Sequence, residues 1–189
     1  GHIGPQVGLL AEAFGMKVVF YDIATKLPLG NARQLGSLEE LLACSDFVTL
    51  HVPETPQTKN LISRRELRLM RRGACLLNLS RGSIVDVSAL REALQEGHLA
   101  GAAVDVFPVE PKSNQEPFQS ELRGLPNVIL TPHVGGSTVE AQRNIGVEVA
   151  SSLSKYLNTG ATGGAVNFPQ IELPLMTGCH RLLNIHRNI

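Results

Sequence analysis

Three short polar segments hold the residues of this sequence that could do chemistry together, and each follows a β-like apolar run. They are Asn-Leu-Ser-Arg-Gly at 78–82, Asp-Val-Phe-Pro-Val-Glu-Pro at 105–111 and Thr-Pro-His-Val-Gly-Gly at 131–136. An arginine holds a carboxylate through a two-pronged contact that is always charged. A histidine moves a proton near neutral pH, and an acid beside it fixes its tautomer. Together the segments suit carboxylate binding combined with proton transfer.

Each of these residues also has an ordinary structural explanation when it is taken alone. Arg81 could form a surface salt bridge, Glu110 lies in a loop where an exposed acid is common, and a loop histidine such as His133 is often structural. The remaining histidines lack a comparable setting, and we interpret them as structural. The functional hypothesis therefore depends on whether the fold brings Arg81, Glu110 and His133 together.

Apolar β-like runs alternate with helical patterns over the first 160 residues. The predicted strands are 17–22, 47–52, 74–79, 101–106 and 128–131, and the predicted helices are 5–14, 38–43, 63–70, 137–157 and one that runs from Asp86 or Ser88 to 95. The strands are continuously apolar, which is typical of a parallel sheet covered by helices on both faces. We therefore predict an α/β fold whose ligands bind where the strands end.

Capping residues mark several of the predicted helix ends. Ser63 with Glu66, and Ser137 with Glu140, each form the Ser-x-x-Glu pattern of a capping box. Gly160 follows the last apolar residues of the long helix and is expected to end it.

The composition indicates an ordinary globular protein. The 189 residues are 43% hydrophobic and carry no formal net charge, so a nucleic-acid or anionic-membrane partner is not suggested. No apolar run approaches the ~20 residues needed to span a bilayer. The basic run Arg64, Arg65, Arg68, Arg71 and Arg72 is interrupted by Glu66, and we interpret it as a solvated helix face.

The cysteines argue for a reducing compartment. Cys44, Cys75 and Cys179 are odd in number and widely spaced, which predicts buried reduced thiols rather than disulfides or a zinc site. No metal is expected. A signal peptide is not recognisable, so the cytoplasm is the expected location.

The first residues resemble part of a dinucleotide-binding turn. Gly-His-Ile-Gly at 1–4 looks like the last two glycines of a G-x-G-x-x-G turn, which lets a pyrophosphate approach the start of a helix. Asp22 lies at the end of the next predicted strand, where an acid accepts hydrogen bonds from the adenosine ribose and repels a 2′-phosphate. An aspartate in a turn is the simpler explanation, but the combination favours NAD over NADP.

The two ends of the chain suggest a fragment of a longer protein. The sequence has no initiator Met and opens inside the glycine turn, and glycines and prolines punctuate it after residue 160. We expect a cofactor-binding domain at 1–136, a long helix at 137–160, and a linker at 161–189. Residues 181–186 could begin a strand of a further domain.

The order of these motifs resembles that of the NAD-dependent D-2-hydroxyacid dehydrogenase family, and the resemblance covers almost the whole chain. Its motifs are Gly-His-Ile-Gly at 1–4, Asp22, Ser-Arg-Gly at 80–82, the segment 105–111 and Pro-His-Val-Gly-Gly at 132–136. The resemblance implies a Rossmann-like doubly wound parallel sheet, here without its first strand and the N-terminal part of the catalytic domain. A missing central strand would leave an apolar gap and unpaired backbone groups.

Within the family, four further segments resemble the bacterial branch that oxidises 3-phospho-D-glycerate to 3-phosphooxypyruvate on the way to serine. They are 21–23, 26–32, 136–142 and 165–169. The tail is similar to the approach to a small ACT-type domain that binds serine in such enzymes. The resemblance therefore implies a small-molecule substrate, a homo-oligomer formed through the cofactor domain, and serine as an effector of the full-length parent.

The resemblance also implies roles for individual residues. Arg81 would bind the substrate carboxylate, His133 would accept the hydroxyl proton as hydride leaves C2, and Glu110 would pair with His133. Asp105 would face the nicotinamide, and Gly135 with Gly136 would form part of an interdomain hinge. The residues implied for cofactor binding are Gly1, His2, Ile3, Gly4, Asp22, Leu79, Ser80, Arg81, Asp105, His133, Gly135 and Gly136.

Two alternatives remain open from the sequence. One is a sister reaction on D-lactate, hydroxypyruvate (the glycerate reaction) or 2-hydroxyglutarate, because phosphate selectivity would lie mostly in the missing part. The other is a non-enzymatic NAD-binding module of the corepressor kind, since one fold serves many functions. Whichever hydroxy acid the dehydrogenase would oxidise, we expect the 189-residue chain alone to be inactive or nearly so.

Overall fold

The chain forms two compact units, Gly1–Val134 and Gly135–Ile189. The computed structural model describes residues 3–113, 115–165, 168–178, 180, 182 and 184. The first unit is an α/β structure with parallel strands, as the sequence predicts. In the second unit the structure describes one long helix, followed by residues with neither helix nor strand.

Helices and strands alternate along the first unit. The helices are α1 (Ile3–Ala13), α2 (Leu38–Cys44), α3 (Arg64–Leu69) and α4 (Val87–Gln95), with a 3₁₀ turn at Gly82–Ile84. The strands are β1 (Val19–Phe20), β2 (Arg33–Gln34), β3 (Phe47–Leu50), β4 (Cys75–Asn78), β5 (Gly101–Val104) and β6 (Val128–Leu130). The strands are shorter than predicted, and β2 has no counterpart among the predictions, because two polar residues give no strand pattern.

The strands form two parallel sheets, β1–β2 and β3–β4–β5–β6. Within the described residues no ladder joins the two sheets. In a Rossmann-like sheet, the strands on the two sides of the first strand follow these two orders. In the larger sheet, Leu50 pairs with Asn78, Asn78 with Val104, and Val104 with Leu130. The strands therefore end in one row, and the segments that follow them leave the sheet at one edge.

A single apolar core holds the larger sheet against its helices. Leu76 of β4, Ile84, Leu90 of α4, Leu99 and Leu122 are all at most 1% exposed. β5 consists of small residues, Gly-Ala-Ala-Val, and its Ala102 and Val104 belong to the same cluster. This packing fixes the sheet edge from which the polar segments leave.

Side-chain caps begin the helices α2, α3 and α4. Ser63 and Glu66 form the predicted capping box of α3. The Ser63 hydroxyl accepts a hydrogen bond from the backbone N–H of Glu66, and the Glu66 carboxylate accepts one from the backbone N–H of Ser63. Asp86, rather than Ser88, caps α4 by accepting a hydrogen bond from the N–H of Ala89. Burial raises the pKa of Glu66, but hydrogen bonds from Ser63 outweigh it and the net pKa is lowered.

The basic run at 64–72 is exposed, as predicted, but four of its five arginines are paired with acids. Arg64 contacts Glu92, Arg68 lies 2.6 Å from Glu96, and both acids lie on or just after α4. Arg71 lies 2.6 Å from Asp46. The run therefore faces neighbouring acids instead of presenting a free basic surface, in keeping with a structural role.

The prediction of three buried cysteines is wrong for the two that the structure describes. Cys44 is exposed because it is the last residue of α2, and Cys75 is half-buried in β4. Both are free thiols. Cys179 lies outside the described residues.

The second unit contains α5 (Val139–Thr159), which ends at Gly160 in the left-handed conformation, with φ of 73°. The predicted capping box of Ser137 and Glu140 is wrong by one residue. Thr138 is the cap and accepts a hydrogen bond from the N–H of Ala141, whose side chain cannot return a bond. No residue of α5 is buried, and its Ile145 is 49% exposed.

The tail after α5 has no helix or strand among its described residues. Thr162 fixes part of it, since its N–H donates to the carbonyl oxygen of Ile171 and its hydroxyl to that of Pro169. The strand predicted at 181–186 falls almost wholly outside the described residues, of which only 182 and 184 belong to it.

Within the described ranges, no helix is both long and apolar enough to cross a membrane. The same residues contain no group of three or more His, Cys, Asp or Glu side chains that could hold a metal ion.

Candidate active site

The structure brings His133 and Glu110 into direct contact beyond the ends of β6 and β5. His133 Nδ1 lies 2.8 Å from Oε2 and 3.0 Å from Oε1 of Glu110. Both side chains are partly exposed, at 43% for His133 and 36% for Glu110, so a small molecule can reach them. Because an ionised carboxylate only accepts hydrogen bonds, we assign the proton of the neutral imidazole to Nδ1.

The environment of Glu110 keeps its carboxylate ionised at neutral pH. Burial raises its pKa, but the hydrogen bond from His133 and that from the backbone N–H of Phe107 outweigh it, so the net pKa is lowered. The Phe107 N–H lies 3.0 Å from Oε1. This second donor fixes the carboxylate against its own loop, and the carboxylate in turn fixes the imidazole ring.

His133 has an unusual backbone conformation. Its φ is +52°, in the left-handed region that residues other than glycine seldom adopt. Backbone of this kind persists where the surrounding structure holds it, and it is concentrated at functional sites. This conformation could not be predicted from the sequence, since few histidines adopt it.

Asp105 holds the backbone on both sides of His133. Its Oδ1 accepts hydrogen bonds from Thr131 Oγ1 at 2.5 Å and from the N–H of Val134 at 3.2 Å. Asp105 is only 6% exposed, and its own N–H donates to the carbonyl oxygen of Asn78. The family resemblance implies a place for Asp105 beside a nicotinamide. The structure also shows these hydrogen bonds, which the sequence analysis missed along with Thr131.

Arg81 lies on a turn that Asn78 shapes. Asn78 is 1% exposed; its Nδ2 donates to the carbonyl oxygen of Arg81, and its Oδ1 accepts from the N–H and hydroxyl of Ser80. The Arg81 guanidinium is exposed and donates to the carbonyl oxygen of Ser80. Among the described residues Arg81 has no ion-pair partner, so the surface salt bridge considered from the sequence is not formed. Leu79 on the same turn is 54% exposed.

Asp22 lines a cleft at the ends of β1 and β2. This cleft of about 390 Å³ is lined by residues 21–25 and 34–36. Asp22 Oδ1 accepts a hydrogen bond from the N–H of Ala24. Gln34 holds the loop, since its Nε2 donates to the carbonyl oxygens of Asp22 and Ala24, and its Oε1 accepts from the N–H of Lys26. Sequence reasoning missed Gln34 because it missed β2.

The glycine turn and the glycine pair are placed only in part. Gly1 and His2 lie outside the described residues. Ile3 and Gly4 form the first turn of α1, which begins two residues earlier than the predicted 5–14. A Cβ at Gly4 would lie 3.5 Å from the His51 ring, so this helix start packs closely beside the end of β3. Gly135 and Gly136 belong to the second unit, directly after the division at Val134.

The chain is similar to known dehydrogenases over its whole length. Residues 1–135 match the family described as D-isomer specific 2-hydroxyacid dehydrogenase, NAD binding domain. The chain is 58% identical over 188 residues to D-3-phosphoglycerate dehydrogenase of Escherichia coli strain K12, an alignment that covers 100% of this chain and 46% of that protein. The chain thus spans about half the length of the curated relatives it matches.

Solved structures show the same fold. A D-lactate dehydrogenase from Sporolactobacillus sp. superposes with a TM-score of 0.74 at 38% identity, over 86% of this chain and 52% of that one. The NAD-complexed D-isomer specific 2-hydroxyacid dehydrogenase of Lactobacillus delbrueckii ssp. bulgaricus superposes with a TM-score of 0.72 at 32% identity, over 83% and 50%. These likenesses confirm the Rossmann-like fold and NAD as the cofactor. The chain belongs to the D-isomer specific 2-hydroxyacid dehydrogenase family, and its residues 1–135 are the NAD binding domain of that family.

Proposed function

We propose that this domain serves the NAD-dependent oxidation of 3-phospho-D-glycerate to 3-phosphooxypyruvate. The observation that carries the proposal is the His133–Glu110 contact, with Nδ1 2.8 Å from Oε2, at the sheet edge where Arg81 also leaves β4. The substrate class rests on the 58% identity to the D-3-phosphoglycerate dehydrogenase of Escherichia coli strain K12.

Arg81, His133 and Glu110 each have one task in this reaction. Arg81 presents an exposed guanidinium that has no ion-pair partner among the described residues and can hold the substrate carboxylate by two parallel hydrogen bonds. His133 has its Nδ1 on Glu110, so Nε2 is the atom that accepts the hydroxyl proton as the C2–H bond breaks. Glu110 stabilises the imidazolium that forms, because it is already ionised. In the reverse direction the same imidazolium returns the proton to the keto oxygen.

The residues present fit the cofactor. NAD, when bound, supplies the acceptor for the hydride that leaves C2. The start of α1 at Ile3 and Gly4 offers backbone N–H groups to a pyrophosphate, and Asp22 lies in the cleft where an acid can accept from ribose hydroxyls. We infer that Leu79, Ser80 and Asp105 contact the nicotinamide side, and that Gly135 with Gly136 contributes to a hinge.

Several properties of the complete enzyme follow as proposals. We expect subunits to pair through the cofactor domain, serine to act as effector, and the tail at 161–189 to lead to an ACT-type domain. The free thiols of Cys44 and Cys75 favour a reducing compartment, and the cytoplasm is the proposed location. Because the alignment covers 46% of the Escherichia coli relative, we expect the chain alone to turn over no substrate.

A chimera tests the proposed activity. This chain replaces the aligned 188 residues of the Escherichia coli D-3-phosphoglycerate dehydrogenase, and NADH formation is followed with 3-phosphoglycerate, D-lactate, D-glycerate and 2-hydroxyglutarate. We expect the highest kcat/KM with 3-phosphoglycerate. A higher value with another acid would reassign the substrate, and NAD binding without turnover of any of the four would favour the corepressor-like module.

A further inference from the structure

The carboxylate of Asp105 accepts hydrogen bonds from residues on both sides of His133. Thr131 Oγ1 and the Val134 N–H both donate to Asp105 Oδ1, at 2.5 and 3.2 Å, and these two residues lie on either side of the Pro132–His133 pair. His133 and Asn60 are the two residues other than glycine with positive φ in the described part of the chain. We call these two hydrogen bonds to Asp105 the clamp. It therefore lies on either side of one of the two left-handed residues other than glycine.

The sequence around the clamp leaves it few alternative conformations. Pro132 fixes its own φ and keeps Thr131 in extended backbone, which suits the end of β6. The Thr131 N–H extends the β5–β6 ladder by donating to the carbonyl oxygen of Val104 at 3.1 Å. Asp105 is anchored on the adjacent strand end through Asn78. The two strand ends are thus tied by backbone and by side chain immediately before His133.

We propose that Thr131 is a positioning residue for His133, acting through Asp105. Its hydroxyl supplies the shorter of the two hydrogen bonds to Oδ1, and the other comes from backbone that substitution cannot remove. Without the hydroxyl, a carboxylate that is 6% exposed loses a donor and must turn toward a new partner. The Val134 N–H is then released, His133 relaxes out of its left-handed conformation, and Nδ1 leaves Glu110.

This inference deepens the proposed function, but its first test does not depend on activity. The 189-residue chain is labelled with ¹⁵N in its histidine rings, and long-range ¹H–¹⁵N spectra are recorded for the wild type, Thr131→Val and Thr131→Ser. His98, whose Nε2 bonds to the carbonyl oxygen of Leu67, reports whether the domain is folded. We expect Thr131→Val to lose the Nδ1-protonated, hydrogen-bonded signature of His133 and Thr131→Ser to keep it, with His98 unchanged in both.

Other spectra would overturn the proposal. An unchanged His133 signature in Thr131→Val would show that the hydroxyl does not position the ring. Loss of the His98 signal as well would make Thr131 a structural residue of the whole domain. Loss of the His133 signature in a folded Thr131→Ser would assign the effect to the methyl group.

A kinetic test adds a second readout in the chimera. Misplacement of a catalytic group by about 1 Å can cost about 100-fold, so we expect Thr131→Val to lower kcat by about 10- to 100-fold. KM for the substrate should change less than about threefold, since Arg81 lies on another strand end. A rise in KM with unchanged kcat would contradict a role through His133, whereas an inactive wild-type chimera would count against the proposed function and leave the spectra to decide this inference.

Discussion

Gly82 packs against the backbone of Phe107 so closely that no larger residue fits. A Cβ at position 82 would lie 2.0 Å from the carbonyl carbon of Phe107 and 2.2 Å from its carbonyl oxygen. The same Phe107 donates its N–H to Glu110. The turn that carries Arg81 and the loop that carries Glu110 are therefore in contact through their backbones, and the glycine of the Ser-Arg-Gly motif is explained by this contact.

Gly82→Ala is expected to destabilise the domain because the backbone of Phe107 cannot yield as a flexible side chain would. Overpacking typically costs about 1–3 kcal/mol, and contact with fixed backbone places this variant at or above about 3 kcal/mol. Chemical denaturation of the chain measures the change. Gly146→Ala on α5 is the matched control, because its Cβ meets no atom within 4 Å and alanine favours helix. Equal stability of Gly82→Ala and the wild type would contradict the close approach.

Glu110→Gln is expected to lower kcat of the chimera by about 100-fold or more, since a neutral amide no longer stabilises the imidazolium. The amide oxygen can still accept from the Phe107 N–H, so the fold should persist. A variant with more than a third of the wild-type kcat would show that the charge of Glu110 has no catalytic role.

The same carboxylate predicts a pH dependence of stability. The folded pKa of Glu110 lies below the ordinary value of 4.5, so the unfolded chain binds its proton more readily. The stabilisation by the ionised group is thus complete above pH 4.5 and is lost as the pH falls through the lowered folded pKa. Unfolding free energies of the wild type and Glu110→Gln should differ by a constant amount above that range and converge below it. A difference that grows on acidification would refute this sign.

Arg81→Lys should weaken substrate binding much more than NAD binding. Lysine keeps the charge but lacks the planar fork, and a charged hydrogen bond contributes about 1.5–3 kcal/mol. We expect KM for 3-phosphoglycerate to rise about 10- to 100-fold, measured by initial rates in the chimera. Arg123→Lys is the control, since that guanidinium donates to the carbonyl oxygen of Phe118 in another loop. An unchanged KM in Arg81→Lys would show that Arg81 does not bind the substrate.

Gln34 should govern cofactor affinity without a charge of its own. Gln34→Leu removes three hydrogen bonds that hold the Asp22 loop, so we expect NAD affinity to fall about tenfold by calorimetry on the chain. Gln95→Leu, at the exposed end of α4, is the control. Unaltered NAD binding in Gln34→Leu would show that this cleft does not bind the cofactor.

The sequence predicted the parallel strands and their common edge because long apolar runs and capping residues are local signals. Glu110 and His133, which meet at that edge, each follow a predicted strand in the sequence. The sequence could not predict the Thr131–Asp105 bond, which joins side chains on two different strand ends. Nor could it predict β2, whose two polar residues become a strand only by pairing with β1.

The errors have similar physical causes. The cap of α5 moved from Ser137 to Thr138 because adjacent hydroxyl residues offer the same pattern, and only backbone geometry chooses between them. Cys44 is exposed because the position of a helix end decides burial more than residue type does. The positive φ of His133 could not be predicted, because tertiary contacts rather than local preference impose it.

The proton transfer by His133 is the central claim, and His133→Asn in the chimera tests it most directly. NADH formation from 3-phosphoglycerate and NAD dissociation constants are measured side by side, with His180→Asn in the described tail as the control. We predict that kcat falls by about 10²- to 10⁴-fold in His133→Asn, whereas the NAD dissociation constant changes far less than kcat. A His133→Asn enzyme that keeps a tenth or more of the wild-type kcat would contradict the account.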